Sequence, residues 1–374
     1  MSDVLQDHHV YLSDAVRQRK FEQAVAGVVR PGDLVADVGC GFGILGLMCL
    51  KSGASHVWGI DRTEAIEIAR ETMARSGFAD RYTCVSETSF RASLPERVDV
   101  VICDHVGYFG FDYGVIAVLD DARRRFLKPG GKIIPERIVL QTAVVESAGC
   151  RKLVGAWDGE PIPAEFNWLR EHSVNTKHWH HFNPEDMASV PSELGVIDLR
   201  EDSPGKLSFS NRLEITRDCE LDGLAGWFEC EIHDGIWMTN SPLSPDQINR
   251  AQVFLPFAKP LAVEAGDVVE MDLSVRHEEF IIAWSARVVR TGQTTRQSTW
   301  ASTILDLRDR TPSSSRIPKL GATGEARRAL LSRVDGQATE SEIEEAIRDE
   351  YPDLFPSADQ ISSFVRHELG RSTR

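Results

Sequence analysis

One stretch constrains this chain more than any other. Leu34-Val35-Ala36-Asp37-Val38 is a short apolar run carrying a single acid, and Gly39-Cys40-Gly41-Phe42-Gly43 follows it at once. Ile44 then opens an apolar segment that continues to about Lys51. A brief apolar run bounded by turn residues reads as a buried strand, and the segment after the turn reads as a helix. Glycines admit backbone conformations closed to other residues and leave no Cβ in the way of a ligand. Strand, glycine turn and helix in succession form a ligand cradle at the C-terminal edge of a parallel sheet.

The neighbouring residues extend that pattern. Val16, Phe21, Ala24, Val28 and Val29 predict a helix over 11–30, stopped by Pro31-Gly32. Strands are expected at 56–61, 82–86 and 98–103, with helices at 63–76 and 115–126. Lys128-Pro129-Gly130-Gly131 reads as a helix end, and Lys132-Ile133-Ile134-Pro135 as the next strand. Strands alternating with helices at this spacing predict a parallel α/β sheet. Past residue 136 the period changes. Alternating runs such as 138–145, 227–232, 268–275 and 280–290 predict an antiparallel β domain, sandwich or barrel. Inside it, 156–190 carries Trp157, Trp168, Trp179 and Phe182, too apolar for a plain loop, and reads as a lid or association arm. Residues 309–320 read as a linker. Beyond it three short helices are expected at 324–335, 340–350 and 357–369, with Thr339 and Glu342 as a capping box.

Composition narrows the function. Forty-two Lys and Arg against 57 Asp and Glu give a net charge of −15. That excess argues against nucleic acid and anionic membranes as partners, and permits a cationic one. No apolar run approaches the ~20 residues that span a bilayer. The first residues carry neither a basic nor an apolar signal region. Seven dispersed cysteines, never in a CxxC, suit free thiols in a reducing cytoplasm. His178-Trp179-His180-His181 lacks a cysteine or acid at ligand spacing, so no metal is expected.

The site is expected at the glycine turn. Its Gly-x-Gly-x-Gly spacing, with an acid two residues before, differs from the dinucleotide fingerprint. Asp61 closes the second strand, where a carboxylate accepts bonds from two ribose hydroxyls. Together these point to an adenosine-containing cofactor.

The segment 35–61 resembles the S-adenosylmethionine (SAM) site of class I methyltransferases. From about His8 to 308 the chain resembles the protein arginine N-methyltransferase family. Three further motifs carry the likeness: Tyr11-Leu12-Ser13-Asp14-Ala15-Val16-Arg17, Asp104-His105-Val106-Gly107-Tyr108, and Leu127-Lys128-Pro129-Gly130-Gly131 through Arg137. The resemblance implies a Rossmann-like SAM-binding domain over 1–136. An antiparallel β-barrel substrate domain follows over 137–311, with an inserted dimerisation arm at about 157–186. Residues 317–374 lie outside this resemblance; they resemble a small helical, PqqD-like module that contacts a leader peptide or partner, with a packing or dimer-stabilising helical cap as the alternative. The family resemblance implies a cytoplasmic homodimer.

By the same resemblance, Arg17 pairs with the SAM carboxylate, and Gly39, Gly41 and Gly43 with Ile44 and Leu45 line its methionine and ribose portions. Asp61 and Arg62 sit at the ribose, and Ser89 and Phe90 at the adenine, where no acid is apparent. Asp37 orients the turn, touches the methionine amine or caps the following helix. The acceptor would meet Asp104, supported by Tyr108, Asp112 and Tyr113, with His105 as a candidate base. The departures bear on the acceptor. The family brackets its guanidinium with two glutamates; here those positions hold Asp104 and Tyr113, with Asp112 adjacent. Gln247-Ile248-Asn249 stands where the family has Thr-His-Trp. The aromatic helix that closes over the cofactor is expected to be missing or truncated. The acceptor is therefore left open: arginine, an imidazole, an amine or a free amino acid, in a peptide, protein or small molecule. A tailoring methyltransferase and an inactive SAM-binding scaffold are the alternatives.

Overall fold

The computed structural model describes residues 2–277, 280–302, 319–352 and 358–373. Two helices come first, α1 (Ser2–Ser13) and α2 (Ala15–Val28). The sequence predicts one helix here; the structure breaks it at Asp14, whose extended backbone and side chain cap α2 by accepting from Arg17 N. Next come β1 (Leu34–Val38), α3 (Ile44–Lys51), β2 (His56–Ile60), α4 (Ala65–Arg75), β3 (Tyr82–Val85), β4 (Val98–Ile102), α5 (Val115–Arg125) and β5 (Leu127–Ile134). Their sheet runs β3-β2-β1-β4-β5, parallel throughout. Pro129-Gly130-Gly131 lies within β5 rather than before it. β5 is an edge strand, where a proline costs no ladder bond, and the register shifts between Val98 and Val100 opposite it.

The order reverses at β1, so the crevice beyond β1 and β4 is the switch point at which open α/β sheets bind ligands. The glycine turn leaves β1 there, Asp61 follows β2, and Asp104 follows β4.

The antiparallel half comprises β6 (Arg137–Val145), α6 (Ala148–Val154), α7 (Leu169–Val174), β7 (His178–His180), β8 (Ser192–Asp198), β9 (Leu207–Glu214), β10 (Cys219–His233), β11 (Ile236–Thr239), β12 (Gln252–Val263), β13 (Val268–Arg276), β14 (Ile281–Val288) and β15 (Thr294–Ser298). Among the described residues these strands form two sheets, β7-β12-β10-β6-β8 with β11 on β10, and β15-β14-β13-β9. The ladders do not join, so the expected closed barrel is replaced by two antiparallel sheets. The aromatic insertion folds back onto its own sheet: β7 pairs with β12, His178 opposite Phe254 and His180 opposite Gln252.

Met1–Ile304 forms one compact unit and Leu305–Arg374 another. Within the first, a continuous core runs from Phe21, Val35 and Ile102 through Leu140 and Phe228 to Trp284, so the two sheet types share an interior. In the second unit, α8 (Ala322–Leu331), α9 (Glu340–Glu350) and α10 (Ala358–Ser372) enclose Leu330, Ile343, Ile347, Ile361, Val365 and Leu369. Thr339 and Glu342 form the capping box. The described residues of this unit include no strand. The expected linker falls mostly on residues outside the described ones.

Close packing behind the glycine turn sets a test. A Cβ on Gly59 of β2 would lie 1.8 Å from the Tyr82 hydroxyl oxygen. Gly59→Ala is expected to destabilise the first unit by about 1–3 kcal/mol through overpacking, read by denaturant unfolding. An unchanged midpoint would contradict this packing.

Candidate active site

The glycine turn is built as the sequence requires. Gly39, Gly41 and Gly43 have φ of 69°, 52° and 79°, in the left-handed region that favours glycine. Gly39 N and Cys40 N both donate to Ile60 O, tying the turn to the end of β2. Asp61 fastens it from the side: Oδ2 accepts from Gly41 N at 2.9 Å, and Oδ1 accepts from the Thr63 amide and hydroxyl. A carboxylate offers about four lone-pair sites, so Asp61 retains capacity for a ligand hydroxyl. Ile44 and Leu45 open α3 directly beyond, while Arg62 is exposed.

α1 reaches this turn. His8 stacks on Phe42 with ring centres 4.1 Å apart, and a Cβ on Gly41 would lie 2.4 Å from its ring. Helix α1 thus packs on the turn through His8. His105 packs against the turn from the other direction: a Cβ on Gly39 would meet its Nε2 at 2.0 Å. Burial holds the His105 imidazole below its ordinary pKa, so it is neutral at pH 7.

Asp37 lies beneath the turn, fully buried. Its Oδ2 accepts from Gly46 N at 2.8 Å, which anchors the start of α3. Its Oδ1 has no hydrogen-bond partner among the described residues. Burial pushes the Asp37 carboxyl up to about 7; the Gly46 amide opposes this and the Asp61 charge adds to it. Beyond β3, Ser89 O accepts from Arg125, and Phe90 is partly exposed. Glu87 is exposed on the same segment, its side chain accepting from Thr88 N at 2.7 Å. The sequence reading passed it over, although an acid two residues past a strand of this sheet is a visible signal.

The expected acceptor side centres on Asp104. Arg17 Nε lies 2.5 Å from its Oδ2, and both side chains are almost fully buried, at 5% and 6% exposure. Arg250 Nη2 approaches the same oxygen at 3.7 Å, its guanidinium stacks over the Tyr11 ring, and its Nη1 donates to Val106 O. Oδ1 of Asp104 is buried and has no hydrogen-bond partner among the described residues. Tyr108 and Tyr113 meet edge to face at 5.4 Å. Burial and the Tyr108 hydroxyl raise the Tyr113 phenol above its ordinary pKa. Asp112, expected to support the acceptor, is engaged within the chain: its Oδ1 accepts from Phe109 N and its Oδ2 pairs with Lys177 at 2.6 Å. Neither Arg250 nor Lys177 was singled out from sequence, because each lies over 60 residues from its partner and no local pattern marks it.

Comparison with known proteins bears on the chain and its fold. The family "Ribosomal protein L11 methyltransferase (PrmA)" matches residues 22–148. Protein arginine N-methyltransferase 1 of Schizosaccharomyces pombe is 29% identical over 290 residues, 73% of this chain and 82% of that protein. The arginine N(omega)-methyltransferase of Streptomyces achromogenes subsp. streptozoticus is 28% identical over 279 residues, covering 71% and 75%. The Trypanosoma brucei PRMT1 enzyme–prozyme heterotetrameric complex with AdoHcy shares the fold, with a TM-score of 0.68 and 21% identity over 79% of this chain and 97% of that one. The chain is an arginine-methyltransferase-like class I SAM-dependent methyltransferase.

The methyltransferase's residues fit its cofactor. Three left-handed glycines at the switch point, spare acceptor capacity on Asp61 and an orphaned buried oxygen on Asp37 suit a ligand bearing ribose hydroxyls and an amine. Among the described residues no group of three or more His, Cys, Asp or Glu could hold a metal, and the cysteines are unpaired thiols. His178 Nε2 bonds to Ser173 O instead. No described helix is long and apolar enough to cross a membrane.

Asp37 gives a pH test. Its folded pKa lies above the unfolded value of 3.8, so the folded chain keeps a proton that the unfolded chain has lost. Its contribution to stability is therefore fully present below about pH 4 and falls as pH rises towards 7. Asp37→Asn is expected to shrink the loss of stability between pH 5 and 7.5, measured by urea unfolding at both values. An equal loss in both proteins would contradict the buried-proton assignment.

Proposed function

We propose that this methyltransferase transfers a methyl group from SAM to a side-chain nitrogen of arginine. The observation that carries the reading is the buried, unpartnered Oδ1 of Asp104 beside an oxygen already held by Arg17 and Arg250. Leaving a buried acceptor unsatisfied is costly, so such an atom calls for a donor. An acceptor N–H supplies one. SAM, when bound, provides the electrophilic methyl of a sulfonium. Methyl transfer of this kind depends mainly on alignment, with the attacking lone pair in line.

The residues divide that work. Asp104 Oδ1 accepts from the acceptor nitrogen and fixes its orientation, while Arg250 keeps Oδ2 from turning. Tyr108 and Tyr113 wall the pocket and exclude water. Arg17 is the side chain for the cofactor carboxylate, since a guanidinium fork matches it. The glycine turn, Ile44 and Leu45 would hold the methionine and ribose portions, with Asp61 at the ribose hydroxyls and Asp37 at the amine. Ser89, Phe90 and Glu87 would face the adenine. His105, neutral and wedged on Gly39, is read as a brace for the turn rather than a base. The homologues named arginine methyltransferases support arginine as acceptor.

A second reading has its own observation. Asp112 is spent on Lys177, and Tyr113 stands at the second glutamate position, which leaves one carboxylate oxygen, Asp104 Oδ1, for an acceptor. A smaller cation, a histidine or an amine would be satisfied by that. Tritiated SAM offered with arginine, histidine and short basic peptides separates the acceptors; label on none of them, despite SAM binding, would leave only a scaffold. Asp104→Asn is expected to lower methyl transfer at least about tenfold while SAM still binds by calorimetry, since one lost buried contact to a charged group is worth ~1.5–3 kcal/mol. Full activity in that variant would refute the assignment.

We also infer a homodimer formed through segment 157–186. Phe166, Trp168 and Trp179 are exposed there, Trp179 at 64%. Large aromatic side chains left exposed on one segment are suited to association with a second copy. Trp179→Ser is expected to shift the sedimentation coefficient from dimer to monomer at micromolar concentration; an unchanged value would place the interface elsewhere.

A further inference from the structure

The loop from Asp104 to Gly114 carries the acceptor residues, yet little of its order is its own. Gly107 and Gly110 exchange long backbone bonds of 3.2 and 3.4 Å, and Gly114 N donates to Phe111 O. The antiparallel half supplies the rest at three points. Arg250 donates to Val106 O, Asn240 Nδ2 donates to Tyr108 O at 2.8 Å, and Lys177 Nζ reaches Asp112 Oδ2 at 2.6 Å and Asp112 O at 3.4 Å. Asn240 is itself fixed, accepting from Phe228 N and donating to Ala251 O.

Asp112 is the hinge of this arrangement. Its side chain is 1% exposed and lies against Gly107, where a Cβ would meet its Oδ1 at 1.9 Å. Through Phe109 N it closes the loop on itself, and the Phe109 ring rests on Gly226 of β10. The adjoining Tyr113 meets Tyr108 edge to face. Lys177 has a firm base, since His178, the next residue, pairs with Phe254 in β12. An unpaired buried carboxylate would draw in water or take up a proton, and Tyr108 and Tyr113 would shift with it.

We propose that Lys177 is a positioning residue for methyl transfer, acting through Asp112 to hold the Asp104–Gly114 loop in its acceptor-binding form. This rests on the reading of that loop as the acceptor site, and the test has one arm that does not need it. Lys177→Met removes the charge, and Lys177→Arg keeps it. In full-length enzyme with S-adenosylhomocysteine, hydrogen–deuterium exchange of the 104–114 peptide is expected to speed by at least about tenfold in Lys177→Met. Exchange in β1, β4 and β10 should not change, and cofactor affinity by calorimetry should stay within about twofold. With whichever acceptor takes label, kcat is expected to fall by roughly ten- to a hundredfold, in line with the cost of ångström-scale misplacement, with less change in KM. Lys177→Arg should restore most of both. Unchanged loop exchange, or equal acceleration across the whole first unit, would overturn the proposal, the latter by showing a purely structural role. If Lys177→Met does not fold, Lys177→Gln carries the same comparison. If no acceptor takes label, the arginine reading fails while the exchange result still decides this one.

Discussion

A buried carboxylate shared by two guanidiniums holds this molecule's site together. Asp104 leaves the end of β4, Arg17 comes from α2, and Arg250 comes from the loop before β12. Taking an ion out of water costs several kcal/mol, recovered only where geometry and further hydrogen bonds are good. Here each participant is tied elsewhere. Asp14 caps α2 at Arg17 N with one oxygen and accepts from Asn249 N with the other, so a single side chain fixes both arginine-bearing segments. The Tyr11 ring lies within 5.6 Å of both guanidinium carbons and shields them from solvent. Removing any one of the three charges would leave the others buried and unbalanced. The parallel and antiparallel halves are thereby bound at the C-terminal edge of the parallel sheet.

Sheet topology explains why the ion pair sits beside the cofactor turn. With order β3-β2-β1-β4-β5, the C-terminal ends of β1, β2 and β4 are neighbours. Three short loops therefore deliver the glycine turn, Asp61 and Asp104 to one crevice. His105 follows Asp104 directly, and its ring is the surface on which Gly39 rests. His105 thereby braces the cofactor turn at the start of the loop, ahead of the segment that Lys177 holds through Asp112.

Much of this was legible in the sequence, and what was not has a common cause. The parallel strands show as short apolar runs, and the glycine turn shows because three residues there need φ near +50° to +80°. Asp61 and Asp104 follow from their places at strand ends. The break at Asp14 was missed because an apolar period runs across it and a cap adds only a local signal. Pro129 within β5 was missed because edge position is a property of the sheet, not of the segment. Separation into two antiparallel sheets depends on which strands meet, which alternation cannot encode. Arg250 and Lys177 escaped for the same reason, since pairing across 65 or 146 residues leaves no mark at either end. Asp112 was visible, but its use was not: whether a carboxylate faces a ligand or a lysine depends on what folds against it.

The same point bears on how the pocket recognises a cation. A net charge of −15 suggests a molecule that draws in basic acceptors, and the aspartates of the loop look like its local expression. The structure gives each of them a cation, Arg17 and Arg250 on Asp104 and Lys177 on Asp112. The pocket is therefore not a well of uncompensated negative charge. Long-range attraction from the rest of the surface fades over a Debye length of ~8 Å at physiological salt, and it affects encounter more than fit. On the proposed reading, discrimination at the acceptor nitrogen would then fall to direction, through one oxygen, Asp104 Oδ1, whose neighbour Oδ2 is held by Arg17 and Arg250. A hydrogen bond to a fixed carboxylate oxygen selects a donor by its angle as well as its charge. A flat guanidinium, whose N–H bonds lie in one plane, meets that requirement in few orientations. That restriction is what alignment for methyl transfer demands.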